Sequence, residues 1–199
     1  MATSTIHLVR HGEVENPKGV IYGRLPGYHL SERGRRQAQA AAERLARAEL
    51  GAVHSSPLER AQETAQIIAD VHGLEVTTDH RLIESETTLE GVGRTFGAIL
   101  RSPRHWLHFR NPMKPSWGES FVEIRARMLE GIEAAVASAA GNEVVVVSHQ
   151  TPVLVARLAL TRNRLPPWLG FTPCQTGSVT SLVMEDGAPV SASYYAPPV

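Results

Sequence analysis

Three residues stand where two apolar runs end, and their types suit phosphoryl chemistry. Arg10 and His11 follow Ile6-His7-Leu8-Val9, and His149 follows Val144-Val145-Val146-Val147-Ser148. In open α/β sheets ligands bind beyond the carboxyl ends of the strands. A guanidinium beside an imidazole suits an anionic ligand and a neutral, electron-rich histidine. A phosphoryl group attacked by histidine meets both conditions. Arg60 adds a second fork of donors. It lies in Ser56-Pro57-Leu58-Glu59-Arg60, which reads as a helix start with Ser56 as N-cap, Pro57 at the first helical position and Glu59 closing a capping box. Unpaired backbone N–H groups in that first turn already favour an anion.

Such chemistry also needs an acid, because transfer to a neutral histidine expels an alkoxide unless the leaving oxygen is protonated. The stretch from Arg81 to Gly91 offers Glu84, Glu86 and Glu90, and chemistry alone does not choose among them. A lone arginine is more often a solvated helix residue, and a lone histidine after a buried strand more often a core or capping group. Two strand-end histidines with two arginines separate this chain from that bland reading.

The elements that must position these residues alternate between strand and helix. Strands are expected at Ile6–Val9, Ala52–His54, Glu75–Thr78, Val144–Val147, Val179–Met184 and Ser191–Tyr195. Helices are expected from Ser31 to Leu50, closed by Gly51, from Pro57 to about His72, from Phe121 to Ala140, and from Thr151 to Leu160. The four consecutive valines are the signature of a strand buried on both faces. This alternation predicts an α/β sandwich around a largely parallel sheet. Residues 91–118 carry Pro103, Pro112 and Pro115 and read as an irregular excursion over one end of the sheet, where substrate contacts are common.

Bulk properties bound the class. At 199 residues the chain suits one domain, spanning 1–199, without a repeat or linker. Lys+Arg and Asp+Glu balance at 20 each, which argues against general nucleic-acid or membrane-surface binding. Cys174 is the only cysteine, so neither an intrachain disulfide nor a cysteine metal cluster is available. No apolar run approaches the roughly 18 residues of a membrane span, and the first residues lack a secretory pattern. A cytoplasmic protein is expected, with a homodimer left open.

Arg10-His11-Gly12-Glu13, Ser31-Glu32-Arg33-Gly34, the run Ser55 to Ala65, Gly118-Glu119-Ser120-Phe121 and Ser148-His149 occur in that order. Together they resemble the histidine phosphatase superfamily, which includes the cofactor-dependent phosphoglycerate mutases, over nearly the whole length. The resemblance implies a phosphoglycerate mutase-like, three-layer α/β/α sandwich. It implies that His11 is the nucleophile and becomes a phosphohistidine, that Arg10, Arg60 and His149 form the phosphate pocket, and that Glu84 is the proton donor. It also implies that no metal or cofactor is required.

Departures from the family pattern bear on the substrate. Asn16 aligns only with a one-residue deletion after Glu13, and Tyr22-Gly23 then realign with an extra residue such as Arg24. Asn16, Tyr22, Gly23 and Arg24 are thus expected substrate contacts, as is Gln150, which stands where glycine commonly follows the second histidine. If that backbone needs positive φ, Gln150 would be strained. Leu89 replaces a usual tryptophan. A phosphatase acting on a small phosphorylated substrate is the leading reading, because mutases of this resemblance are typically longer. The alternatives are a mutase-like phosphotransferase and a non-catalytic phospho-ligand or protein-binding module.

Overall fold

A computed structural model describes residues 3–93, 118–163 and 172–198. Most of the 91–118 excursion lies outside them. Its described ends are fixed by isolated bridges, Gly93 to Val20 and Gly118 to Thr87.

Six strands form one sheet: β1 (Thr3–Arg10), β2 (Leu50–Ser55), β3 (Val76–Thr78), β4 (Glu143–Ser148), β5 (Val179–Glu185) and β6 (Ala188–Tyr195). Their spatial order is β3-β2-β4-β1-β5-β6. Pairings β1–β4, β2–β4 and β2–β3 are parallel, whereas β5 runs antiparallel to both its neighbours. The sheet is therefore mixed, and only β5 runs against the rest. Among the described residues, four α-helices cover it: α1 (Glu32–Leu45), α2 (Glu59–His72), α3 (Phe121–Ser138) and α4 (Gln150–Leu160). No described helix is long and apolar enough to cross a membrane.

The valine run divides the core into two halves, as strand alternation demands. Val145 and Val147 pack with Ala41, Ala42, Ala65 and Ile68 of α1 and α2. Val144 and Val146 pack with Ile124, Met128 and Ile132 of α3 and Val153–Ala156 of α4. The result is the expected α/β/α sandwich.

The end of α1 and the start of α2 differ from the sequence reading in ways that bear on the site. α1 is capped by Ser31, whose Oγ accepts from Gly34 N–H at 3.0 Å, but it ends at Leu45 rather than Leu50. Leu50 instead opens β2 opposite Glu143, and strand pairing overrides the helix propensity of Ala46–Glu49. Gly51 is a strand residue whose missing side chain admits the Ala139 carbonyl. At α2, Leu58 is the N-cap, with no side-chain cap bond. Ser56 N–H donates to Val147 O at 3.0 Å, so the chain still follows the sheet there and the expected Ser56–Glu59 box does not form. A capping box does open α3, between Ser120 and Glu123.

Candidate active site

The parallel register places Arg10 opposite Ser148, so the residues that follow, His11 and His149, leave the same end of the sheet side by side. His11 N–H donates to Ser148 O at 3.0 Å, and the two rings meet edge to face with centroids 5.0 Å apart. Both histidines are buried. Gly12 is required by packing, because a side chain there would strike the Gly34 carbonyl, and one on Gly34 would strike that of Glu13. The first turn of α1 thus rests directly on the backbone that carries His11.

His11 Nδ1 lies 2.7 Å from Gly12 O. A carbonyl only accepts, so Nδ1 carries the hydrogen and Nε2 keeps its lone pair. Burial first, then Arg60 and Arg10, hold the His11 pKa well below the ordinary histidine value. His149 is held low by burial, then by His11, Arg60 and Arg10. Both rings are therefore neutral near neutral pH.

Arg60 stands in the first turn of α2, fully buried. Its Nη2 donates to Gly23 O at 2.6 Å, and its guanidinium carbon lies 4.8 Å from the centre of the Tyr22 ring. Arg10 Nη1 donates to Cys174 O at 2.6 Å. His149 Nε2 is 2.7 Å from Ser56 Oγ. That leaves Arg10 Nε, Arg60 Nε and Nη1, and His149 Nδ1 buried with no partner among the described residues. Buried polar groups normally find partners, and this cluster of nitrogens beside the neutral His11 ring offers donors of the kind that suit an anion's oxygens.

A cavity of about 450 Å³ opens above, lined by Arg10, His11, Tyr22, Gly23, Glu84 and Gln150 among others. Arg60 and His149, both fully buried, are not part of its wall. Of the three candidate carboxyls, Glu84 and Glu86 line the cavity, while Glu90 accepts the Arg24 backbone N–H. Glu84 Oε1 accepts from Ser85 N–H at 2.8 Å and from Ser85 O–H at 3.1 Å. Burial nonetheless raises the Glu84 pKa, outweighing those bonds and the pull of Arg60 and Arg10. That shift runs in the direction an acid requires.

The expected substrate contacts divide. Tyr22, Gly23 and Gln150 line the cavity. Asn16 does not; its amide donates to Val20 O at 2.9 Å and accepts from Val20 N–H at 3.2 Å. Arg24 also stands off the wall, its Nε donating to Glu84 O at 2.7 Å. Gln150 opens α4 without positive φ, so the strain weighed for it does not arise.

Sequence reasoning passed over two residues at the centre. Thr64 Oγ1 accepts Gly12 N–H at 3.1 Å and donates to Arg60 O at 2.8 Å. Its position one turn after Arg60 was the available signal. Ser56 was assigned to a cap, and nothing local marks it as the partner of His149. Among the described residues, no group of three His, Cys, Asp or Glu side chains converges to hold a metal ion.

A buried, neutral histidine with two arginines and a carboxyl whose pKa burial raises, at one end of an α/β/α sheet, is an arrangement suited to phosphate esters. The chain belongs to the histidine phosphatase superfamily, branch 1, whose family model matches residues 6–196. It is 50% identical over 194 residues to an uncharacterized protein of Mycobacterium tuberculosis, covering 96% of each. It is 33% identical to phosphoserine phosphatase 1 of Hydrogenobacter thermophilus, over 90% of this chain and 86% of that one. It is also 34% identical to a 2,3-bisphosphoglycerate-dependent phosphoglycerate mutase of Thermoplasma acidophilum, over 75% and 72%. Among solved structures it is similar to YhfR of Bacillus stearothermophilus, with TM-score 0.79, 29% identity and 94% coverage of each chain. A mycobacterial glucosyl-3-phosphoglycerate phosphatase gives TM-score 0.75 at 27% identity, with 98% of each chain covered. The fold is accordingly phosphoglycerate mutase-like, with phosphatases among its neighbours.

Proposed function

We propose that this protein hydrolyses a small phosphomonoester in two steps through a phosphohistidine at His11. The observation that carries the reading is the 2.7 Å contact of His11 Nδ1 with Gly12 O, which leaves the Nε2 lone pair free to attack phosphorus. As the P–O bond breaks, Glu84 passes its proton to the leaving oxygen and the alcohol departs. The Glu84 carboxylate then takes a proton from water, whose oxygen attacks the phosphohistidine. Orthophosphate leaves, and His11 is again neutral with Glu84 protonated.

Arg10 and Arg60 meet the charge on the equatorial phosphoryl oxygens, with His149 as a neutral donor. On this reading the guanidiniums do the work a metal ion would otherwise do. Rapid alkaline quench during turnover of a generic ester, followed by peptide mass spectrometry, should locate phosphate on His11. His11→Ala should lose phosphate release. Equal release by both proteins overturns the mechanism, and binding without phosphohistidine would leave a phospho-ligand module.

The similarity to the Thermoplasma mutase supports a second reading, in which the phosphoryl group passes to a second hydroxyl rather than to water. A mutase must exclude water from the phosphohistidine. Incubation with 3-phosphoglycerate and its bisphosphate cofactor in ¹⁸O-water separates the two. Labelled orthophosphate supports hydrolysis, and unlabelled 2-phosphoglycerate supports the mutase.

A further inference from the structure

Residues 83–86, which carry Glu84, belong to no helix or strand. Their backbone therefore lacks a ladder to fix it, although an acid must sit within a fraction of an ångström of its target to be effective. Two guanidiniums replace the ladder. Arg127, on α3, donates from Nη1 to Arg81 O at 2.6 Å and to Ile83 O at 2.7 Å. Arg24, on the loop after β1, donates from Nε to Glu84 O at 2.7 Å. Three carbonyls around the acid are thus held by two side chains.

Glu119 couples the two forks. Its Oε1 accepts from Arg127 Nε at 2.6 Å, and its Oε2 from Arg127 Nη2 at 2.9 Å. Oε2 also accepts from Arg24 Nη2 at 3.1 Å. Glu119 and Arg127 are largely shielded from solvent, with side chains 13% and 16% exposed, so this pair is screened less than a surface ion pair. The bidentate geometry is also the one that fixes orientation as well as distance. Glu119 lines the cavity, but Arg24 and Arg127 do not, and their guanidiniums are spent on backbone carbonyls and on Glu119.

We infer that Arg127, with Glu119 and Arg24, forms a positioning device that aims the Glu84 carboxyl at the leaving oxygen. The inference rests on the reading of Glu84 as the acid. A misaimed acid matters only when the leaving group needs a proton. An alkyl alkoxide needs one, whereas 4-nitrophenolate departs without it.

The test compares kcat/KM, which reports steps up to phosphoryl transfer, for 2-phenylethyl phosphate and 4-nitrophenyl phosphate. Arg127→Met should lower the value for the alkyl ester by roughly 10- to 100-fold and leave the nitrophenyl ester within about threefold. Arg127→Lys keeps the charge but loses the fork, and should show the same selectivity. If Arg127→Met does not fold by thermal melting, Glu119→Gln releases both forks and should discriminate in the same direction. Equal losses on both esters in a folded variant, or no loss on either, overturn the inference.

Glu84→Gln serves as the reference. If it fails to discriminate between the esters, the acid assignment itself fails, and the positioning role falls with it. If Glu84→Gln discriminates and Arg127→Met does not, only the positioning role fails.

Discussion

Ser56 Oγ lies 2.7 Å from His149 Nε2, across 93 residues of chain. Neutral His149 has one N–H, and its Nδ1 is the ring nitrogen left without a partner. It can donate to a phosphoryl oxygen from Nδ1 only if the Ser56 hydroxyl donates to Nε2. On this reading Ser56, just after β2, selects the useful tautomer of a residue just after the neighbouring strand β4. Ser56→Ala removes the selection and should weaken inhibition by vanadate about tenfold, the ~1.4 kcal/mol of one hydrogen bond. Unchanged vanadate inhibition would show that His149 does not donate from Nδ1.

Folding stability should fall as pH drops below the ordinary histidine range, before most carboxylates titrate. His11 and His149 are held well below that range in the folded protein, chiefly by burial, and His7 and His54 are held below it. Below pH ~6.5 the unfolded chain binds protons that the folded chain refuses, so stability present at pH 7 is lost on acidification. His11 and His149 alone give a slope approaching ~2.7 kcal/mol per pH unit. Glu84 opposes this, since its raised pKa means that the folded state takes up a proton first. Urea midpoints measured from pH 7.5 to 5.0 check the balance. A flat midpoint across that interval would contradict the neutral burial of the two active-site rings.

Gly12→Ala should both destabilise the fold and reduce turnover, because the added methyl group meets the Gly34 carbonyl. Neither backbone can yield without moving the α1 start or the His11 carbonyl support. Overpacking of this kind costs roughly 1–3 kcal/mol. Denaturation and kcat/KM on 4-nitrophenyl phosphate together give the outcome. A variant as stable and active as wild type would mean that α1 is not seated on the motif as described.

His11 and His149 were legible in the sequence because each follows an apolar run, and the ends of strands are where an α/β sheet binds ligands. Arg60 does stand in the first turn of a helix, as expected, although the Ser56–Glu59 cap that suggested it does not form. What was not legible depends on partners distant in sequence. Leu50 carries helix-forming neighbours, and only its pairing with Glu143 makes it a strand. Ser56 has every local property of a cap, yet its hydroxyl meets His149. The amide of Asn16 closes on Val20 at both ends, a partnership that no local pattern announces. Arg127 reads as one more helical arginine until the carbonyls of Arg81 and Ile83 fold beneath it.

Tyr22 covers the Arg60 guanidinium at 4.8 Å and stacks on Tyr28 with ring centres 4.9 Å apart, while its own ring lines the cavity beside His11. The aromatic face stabilises the buried cation and limits where the guanidinium can turn. Burial is the main effect lowering the Arg60 pKa from its ordinary value. Tyr22→Leu keeps an apolar wall but removes the π face, so Arg60 should lose orientation while the cavity keeps its shape. The expected result is a five- to tenfold weaker inhibition by vanadate, in line with about 1 kcal/mol for a partly desolvated cation–π contact. Tyr22→Phe retains the face and should bind vanadate as the wild type does. If both variants weaken vanadate equally, the phenolic hydroxyl rather than the ring carries the effect, and the cation–π account is wrong.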